Sequence, residues 1–233
     1  MDDGEPVGCV SCVCYDDAFA FFGFSIVVPE RRGQGIDGPL FAAMLERAGD
    51  RTIGLDGVVA QSARYEAAGY EAEHRSVRWR LDSSEAGSTT AEATDLAGLA
   101  FDELTAYDRR CFPARREAFL LAWTTMPGHV GRAAMRNGRL DGYAVLRPCR
   151  EGFKIGPLFA GNETTAATLL DALLPHGAGA PVFLDIPVDN VAATALAVDH
   201  HGVAVFETVR MYRGRPPGYD RRKVFGVTTF ELG

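Results

Sequence analysis

The stretch Ile26 to Leu40, IVVPERRGQGIDGPL, constrains this chain more than any other. An apolar strand runs through a proline into a short Arg/Gly loop, and a helix follows. That order of elements gathers backbone N–H groups at a helix N-terminus, an arrangement that binds phosphate and pyrophosphate. Gly33 and Gly35 allow positive φ and close approach of the backbone to an anion, Arg32 adds a fixed positive charge, and Pro29 ends the strand by removing a ladder donor. A Walker loop needs Gly-Lys-Ser/Thr, which is missing here, and a dinucleotide fingerprint needs a third glycine in another frame. Asp37 is discordant, because a first-turn carboxylate suits the helix dipole yet repels an anion bound at the same N–H groups. Either its side chain turns outward and Gly38 shares the duty, or affinity for the anion falls.

A second segment, beginning at Gly54, reads as a short strand, a helix ending at Gly69 and a strand of alternating character from Tyr70 to Leu81. Together the two segments resemble the N-acetyltransferases of the GNAT superfamily, whose signature is Gln/Arg-x-x-Gly-x-Gly/Ala directly after a V-x-P strand end. Val27, Pro29, Arg32 and Gly35 are in register with it, and Tyr65 stands four residues before Gly69-Tyr70, as in the family. Asp37 replaces a family Gly or Ala. The usual Asn before the second helix is replaced by LDGV with Gln61, a variant associated with the tandem-domain subgroup called YitH-like.

The resemblance implies acetyl-CoA as cosubstrate, held by Val27, Val28, Arg32, Gly33, Gln34, Gly35, Ile36, Asp37 and Gly38. It implies direct transfer of the acetyl group to a primary amine of a small molecule, with no covalent enzyme intermediate and no metal. The amine must lose a proton, the thioester oxygen must be stabilised as it gains charge, and the departing thiolate must be protonated. The N–H groups of Val27 and Val28, at a splayed strand end, are the candidate stabilisers and Tyr65 the candidate acid. Asp56, Asp185, Glu73, His74 and Glu207 all stay open as the general base. Two other functions fit the same residues: an acyl-CoA-binding sensor or scaffold that has lost turnover, and an acyltransferase to a thiol or hydroxyl.

The polar run SSEAGSTTAEAT reads as a linker over 83–94, dividing the chain into 1–82 and 95–233. Beyond it, helices are expected at Leu96–Arg110, near Arg116–Thr125 and at Thr165–Leu174, and strands at Arg132–Met135, Gly142–Pro148, Phe153–Phe159 and Val182–Ile186. That alternation argues α/β. The second half repeats Leu55-Asp56 as Leu184-Asp185, and Asn190, Ala193, Leu196 and Gly202 follow the family pattern with Ala197 where a tyrosine belongs. KIGPLFAGNETTAATLLDALL fills the cofactor strand–helix slot without the Arg/Gly loop. The expectation is therefore α/β with two tandem acetyltransferase-type domains and mixed β-sheets, the first N-terminally short, the second degenerate and unable to hold pyrophosphate. Only Met1–Ala18 precedes the strand leading into Val27, where the family has a strand and two helices. Either the start is truncated, or the second domain and the segment KVFGVTTFEL supply the acceptor wall.

Composition narrows the partners. A formal net charge of −7 over 233 residues disfavours nucleic acid and mildly favours a cationic acceptor. No apolar run reaches the roughly 18 residues of a membrane span, and MDDGEP is unlike a targeting peptide, so a cytoplasmic location is expected. Cys9, Cys12 and Cys14 lack a second Cys/His pair at metal-site spacing, and alternation puts Cys12 and Cys14 on one strand face as small hydrophobes. His200-His201 at a helix end read as structural. The oligomeric state is not encoded in any of these features.

Overall fold

The computed structural model describes residues 4–83 and 93–233, so the expected linker lies outside the described residues from Ser84 to Glu92. In chain order the strands and helices are β1 (Gly8–Cys14), β2 (Phe19–Val27), α1 (Asp37–Ala48), β3 (Thr52–Val58), α2 (Ser62–Ala67), β4 (Glu71–Asp82), β5 (Ala93–Asp95), α3 (Phe101–Cys111) and α4 (Glu117–Thr125). Then come β6 (Val130–Arg136), β7 (Arg139–Pro148), β8 (Phe153–Ala160), α5 (Glu163–Leu173), β9 (Pro181–Pro187), α6 (Val191–Asp199), β10 (Val203–Arg213) and β11 (Val224–Gly226). No helix of the described residues is long and apolar enough to cross a membrane.

These elements form two compact units that are not contiguous in sequence. The first comprises Met1–Glu73, Val209–Pro217 and Phe230–Gly233, and the second His74–Thr208 with Gly218–Thr229. Residues 74–82, expected with the first half, therefore belong to the second unit, and Val209–Pro217 to the first. In the second unit Ser76–Asp82 of β4 run antiparallel to Pro181–Pro187 of β9. In the first, β10 lies beside β3. Each half of the sequence thus gives strand residues to the unit built by the other half, the first from β4 and the second from β10, since a sheet edge takes any strand whose backbone groups and apolar face match it.

In the first unit β1 is antiparallel to β2 and β2 parallel to β3. Residues alternating along the strands, Val10, Cys12, Cys14, Ala20, Phe22, Ile53, Leu55, Val209 and Met211, form one apolar face, and Met44 and Ala48 of α1 pack onto it. Period-two strands meeting a 3.6-period helix stripe account for that layer. Cys12 and Cys14 serve there as hydrophobes, and burial, with Cys14 next to it, pushes the Cys12 thiol up to about 11.

The second unit has the strand order β4-β9-β8-β7-β6-β5, with β11 on β8. Asn162 caps α5 through Thr165 N at 3.0 Å, and Asn190 caps α6 through Ala193 N at 3.1 Å. The helix expected at Leu96–Arg110 is shorter: Asp95 caps a 3-10 turn over Leu96–Gly98, the chain extends at Leu99 and Ala100, and α3 begins at Phe101. After α6 the left-handed position falls to His201, φ 53, rather than to Gly202. His200 accepts its structural reading, with Nδ1 against Leu196 O at 2.9 Å and Nε2 against Asp171 at 2.8 Å.

Candidate functional site

β2 and β3 are paired only from Phe19–Phe22 opposite Thr52–Leu55, so the two strands part before β2 reaches its loop. The Val28 N–H donates to Val7 O at 3.0 Å. Val28 is therefore not an open donor, which corrects the expectation that both valine amides are available. Val27 stands opposite Gly8, and the alternation of an antiparallel ladder turns its amide away from β1 and toward the gap.

A 3-10 turn, Pro29–Arg31, then leads into the glycine loop. Arg32 Nε donates to Val27 O at 3.1 Å, tying the guanidinium to the strand end, and Gln34 Nε2 donates to Glu30 O at 3.1 Å. Gly33 and Gly35 have φ of 75° and 78°, and no heavy atom lies within 4 Å of the place a Cβ would take at Gly33, Gly35 or Gly38. The loop is open ground at the start of α1, whose N-cap Ile36 has no side chain able to cap it. The Gly38 N–H is taken by Gly35 O at 3.2 Å. Asp37 is bound by the guanidinium of Arg64 on α2, so its charge is met by a partner rather than turned to water.

Tyr65 follows Arg64 on α2. Its half-buried ring meets Phe22 edge-on at 6.2 Å and Tyr70 at 6.1 Å between centroids. Burial raises its phenol above the ordinary value, with Arg64 pulling the other way, so the group stays protonated at neutral pH. Tyr70 is deeper still, and its buried hydroxyl has no hydrogen-bond partner among the described residues.

The candidate bases are mostly engaged. Asp56, whose side chain is fully buried, is gripped by Arg210 at 2.8 and 2.7 Å, and Asp185, fully buried, by Arg78 at 2.7 and 2.9 Å and by Lys154. Two carboxylates shut away behind cations are structural, which removes them as bases. Glu207 pairs with Arg75 at 3.0 Å, His74 Nδ1 lies 3.3 Å from Arg221, and Glu73 is exposed. Sequence reasoning missed Arg64 and Arg210; Arg64 directly precedes Tyr65, but its partner is 27 positions away.

The second unit repeats the strand–helix order without the loop. Between β8 and α5 only Gly161 and Asn162 intervene, and Asp141 accepts from Asn162 Nδ2 at 3.0 Å and Thr165 Oγ1 at 2.6 Å. A pocket of about 1010 Å³ opens at the starts of α5 and α6, lined by Arg136, Thr164, Asp189, Arg221, Arg222 and Phe225 among others. Arg221 is paired with Asp189 at 3.2 Å and Arg222 with Asp220 at 3.0 Å. Among the described residues no group of three or more His, Cys, Asp or Glu is arranged to hold a metal ion.

A model of the acetyltransferase (GNAT) domain matches residues 104–226. Over 230 residues, 98% of this chain and 78% of the relative, the sequence is 26% identical to a holothin acyltransferase of Pseudoalteromonas sp. (strain SANK 73390). A putative acetyltransferase from Pyrococcus horikoshii superposes with a TM-score of 0.85 at 24% identity, covering 99% of this chain and 78% of that one. A tandem GNAT protein from the clavulanic acid biosynthesis pathway, solved without AcCoA, gives 0.64 at 18% identity, covering 93% and 82%. At those identities the two structures establish the fold alone.

Proposed function

Because the chain belongs to the acetyltransferase (GNAT) family, we propose that it is an N-acetyltransferase that moves an acetyl group from acetyl-CoA directly to a primary amine of a small molecule, using the first unit as its cofactor site. The observation that carries this reading is the loop from Arg32 to Gly38: two positive-φ glycines, open space above them and a helix start with no side-chain cap, at the end of a strand that leaves its neighbour. A holothin acyltransferase among the relatives supports acyl transfer as the reaction class. The tandem reading of two GNAT-type domains is supported by two matching pairs: Leu55-Asp56 with Arg210, and Leu184-Asp185 with Arg78.

The residues present fit acetyl-CoA. Loop amides and the Arg32 guanidinium would hold its pyrophosphate, and the cosubstrate supplies an acyl thioester activated toward amines. The Val27 N–H is the donor available for an oxyanion. Tyr65 holds a proton on its phenol oxygen for a leaving thiolate. The amine proton passes to water, directly or by way of Glu73, His74 or Glu207, since Asp56 and Asp185 are closed off by their cations.

The test is calorimetric titration with acetyl-CoA beside a thiol-release assay over an amine panel. Binding lost in Arg32→Ala with Gly35→Val, and thiol release that needs an amine, are the expected results. Unchanged affinity in that variant would overturn the loop assignment. Tight binding with no release from any acceptor would make the chain an acyl-CoA sensor, and release driven by thiols or alcohols would change the acceptor class.

A further inference from the structure

Both units contain a strand that runs toward a helix and parts from its parallel neighbour. β2 leaves β3 after the Phe22–Leu55 pair, and β8 leaves β9 after the Ile155–Leu184 pair. Beyond that point the facing edges carry backbone donors and acceptors that require partners. In the second unit the chain itself provides them. β11 lies antiparallel on β8, with Val224 opposite Phe159 and Gly226 opposite Leu158, and Val227 N–H donates to Asp185 O on β9 at 2.9 Å.

The fit is tight. A Cβ on Gly226 would stand 2.4 Å from Leu184 Cδ1 and 3.2 Å from Leu158 Cβ, so no other residue fits there without displacement. Phe225 is buried in the apolar core of the unit and also lines the pocket at the start of α5 and α6. Thr228, fully buried, accepts from Arg116 at 2.9 Å, and Arg116 is itself clamped on Asp108 at 2.9 and 2.7 Å. In the first unit the neighbours of β2 are β1 and β3, and among the described residues no further strand pairs with it.

We propose that Val224–Val227 is a built-in occupant of the strand gap in the second unit, confining acyl-thioester binding to the first unit and giving the chain one acyl-CoA site. The inference rests on the acyl-CoA reading above. The arm of an acyl-CoA carries amide groups that need hydrogen-bond partners when buried, and in the second unit the strand-edge groups at the gap are already bonded to the chain's own backbone. Entry there requires Phe225 to leave its core. The part of the chain that the family model chiefly matches is thus the half whose gap is closed.

The experiment uses the whole chain. Acetyl-CoA is titrated calorimetrically, and amide hydrogen exchange is followed by mass spectrometry with and without it. One acetyl-CoA per chain is expected, with new protection over 33–38, none over 158–162, and slow exchange at Gly226 and Val227 in both states. Gly35→Val should take the stoichiometry from one to zero. Two ligands per chain, a ligand footprint at 158–162, or fast exchange at Gly226 and Val227 would overturn the inference and leave the acyl-CoA reading standing. No binding by the unaltered chain would overturn that reading, and the inference with it.

Discussion

Arg64 on α2 donates to the carboxylate of Asp37 at the first residue of α1. The pair is partly exposed and contributes little to stability by itself. Its consequence is electrostatic: the carboxylate that would repel an anion at the glycine loop is matched by a cation. Asp37→Gly alone should therefore raise acetyl-CoA affinity modestly, because it leaves the Arg64 charge unmatched beside the loop. Arg64→Ala leaves the Asp37 charge beside the loop and should weaken binding about twofold to fivefold, corresponding to ~0.3–1 kcal/mol for a charge at a helix end. Adding Asp37→Gly to Arg64→Ala should restore affinity. Calorimetry on the three variants decides it, and equal loss in Arg64→Ala with and without Asp37 would show that Arg64 acts on the ligand directly.

Tyr65→Phe keeps the ring that meets Phe22 and Tyr70 and deletes the proton. The melting temperature and acetyl-CoA affinity should hold, while turnover falls on the order of 100-fold, the usual effect of losing one general acid. Early melting would assign Tyr65 to packing, and full turnover would pass the acid role to water.

The local features were legible because they are set by local chemistry. Positive φ at Gly33 and Gly35, the strand end before Pro29 and the Asn caps of α5 and α6 follow from residue types a few positions apart. What escaped is long-range. Nothing in the alternating pattern of β4 or β10 tells which sheet edge each will join, and so the strand exchange, with its Asp56–Arg210 and Asp185–Arg78 pairs, was hidden. KVFGVTTFEL reads as apolar in sequence, but the place of its Val224–Val227 stretch between β8 and β9 depends on a gap that exists only in the folded unit.

Arg210→Ala removes the bidentate partner of the buried Asp56 carboxylate. Breaking such a pair from one side costs about 3–5 kcal/mol. Arg78→Ala should cost less, because Lys154 still donates to Asp185. Urea unfolding of both variants checks the order, and an equal or reversed loss would contradict it.

His129 supplies a pH signature. Its Nδ1 lies 2.7 Å from Trp123 O, its ring meets Trp123 edge-on, and burial, opposed by that backbone contact and aided by Arg147, lowers its pKa below the ordinary 6.5. The folded state therefore resists a proton that the unfolded chain accepts. The sign follows: this contribution is complete above pH 6.5 and is lost as pH falls from there through the lowered folded value. Thermal melts on the acid side should fall less steeply in His129→Gln than in the unaltered chain, and parallel curves would remove His129 from the account.

Ending the chain after Leu81 tests the division of labour between sequence and unit. The fragment keeps β1, β2, α1, β3 and α2, but loses Val209–Pro217 and Phe230–Gly233, which belong to the same compact unit. With them go Arg210, the apolar Val209 and Met211 of the shared face, and the Leu232 carbonyl that accepts from Tyr15 at 2.6 Å. The Asp56 carboxylate loses its arginine, the edge of β3 is opened, and the remaining sheet buries too little apolar surface to offset its chain entropy. The fragment should be insoluble and bind no acetyl-CoA. Co-expression with residues 83–233 should recover binding, because the missing strand is then supplied in trans. A soluble fragment that binds acetyl-CoA alone would show that the first unit does not depend on the exchanged strand.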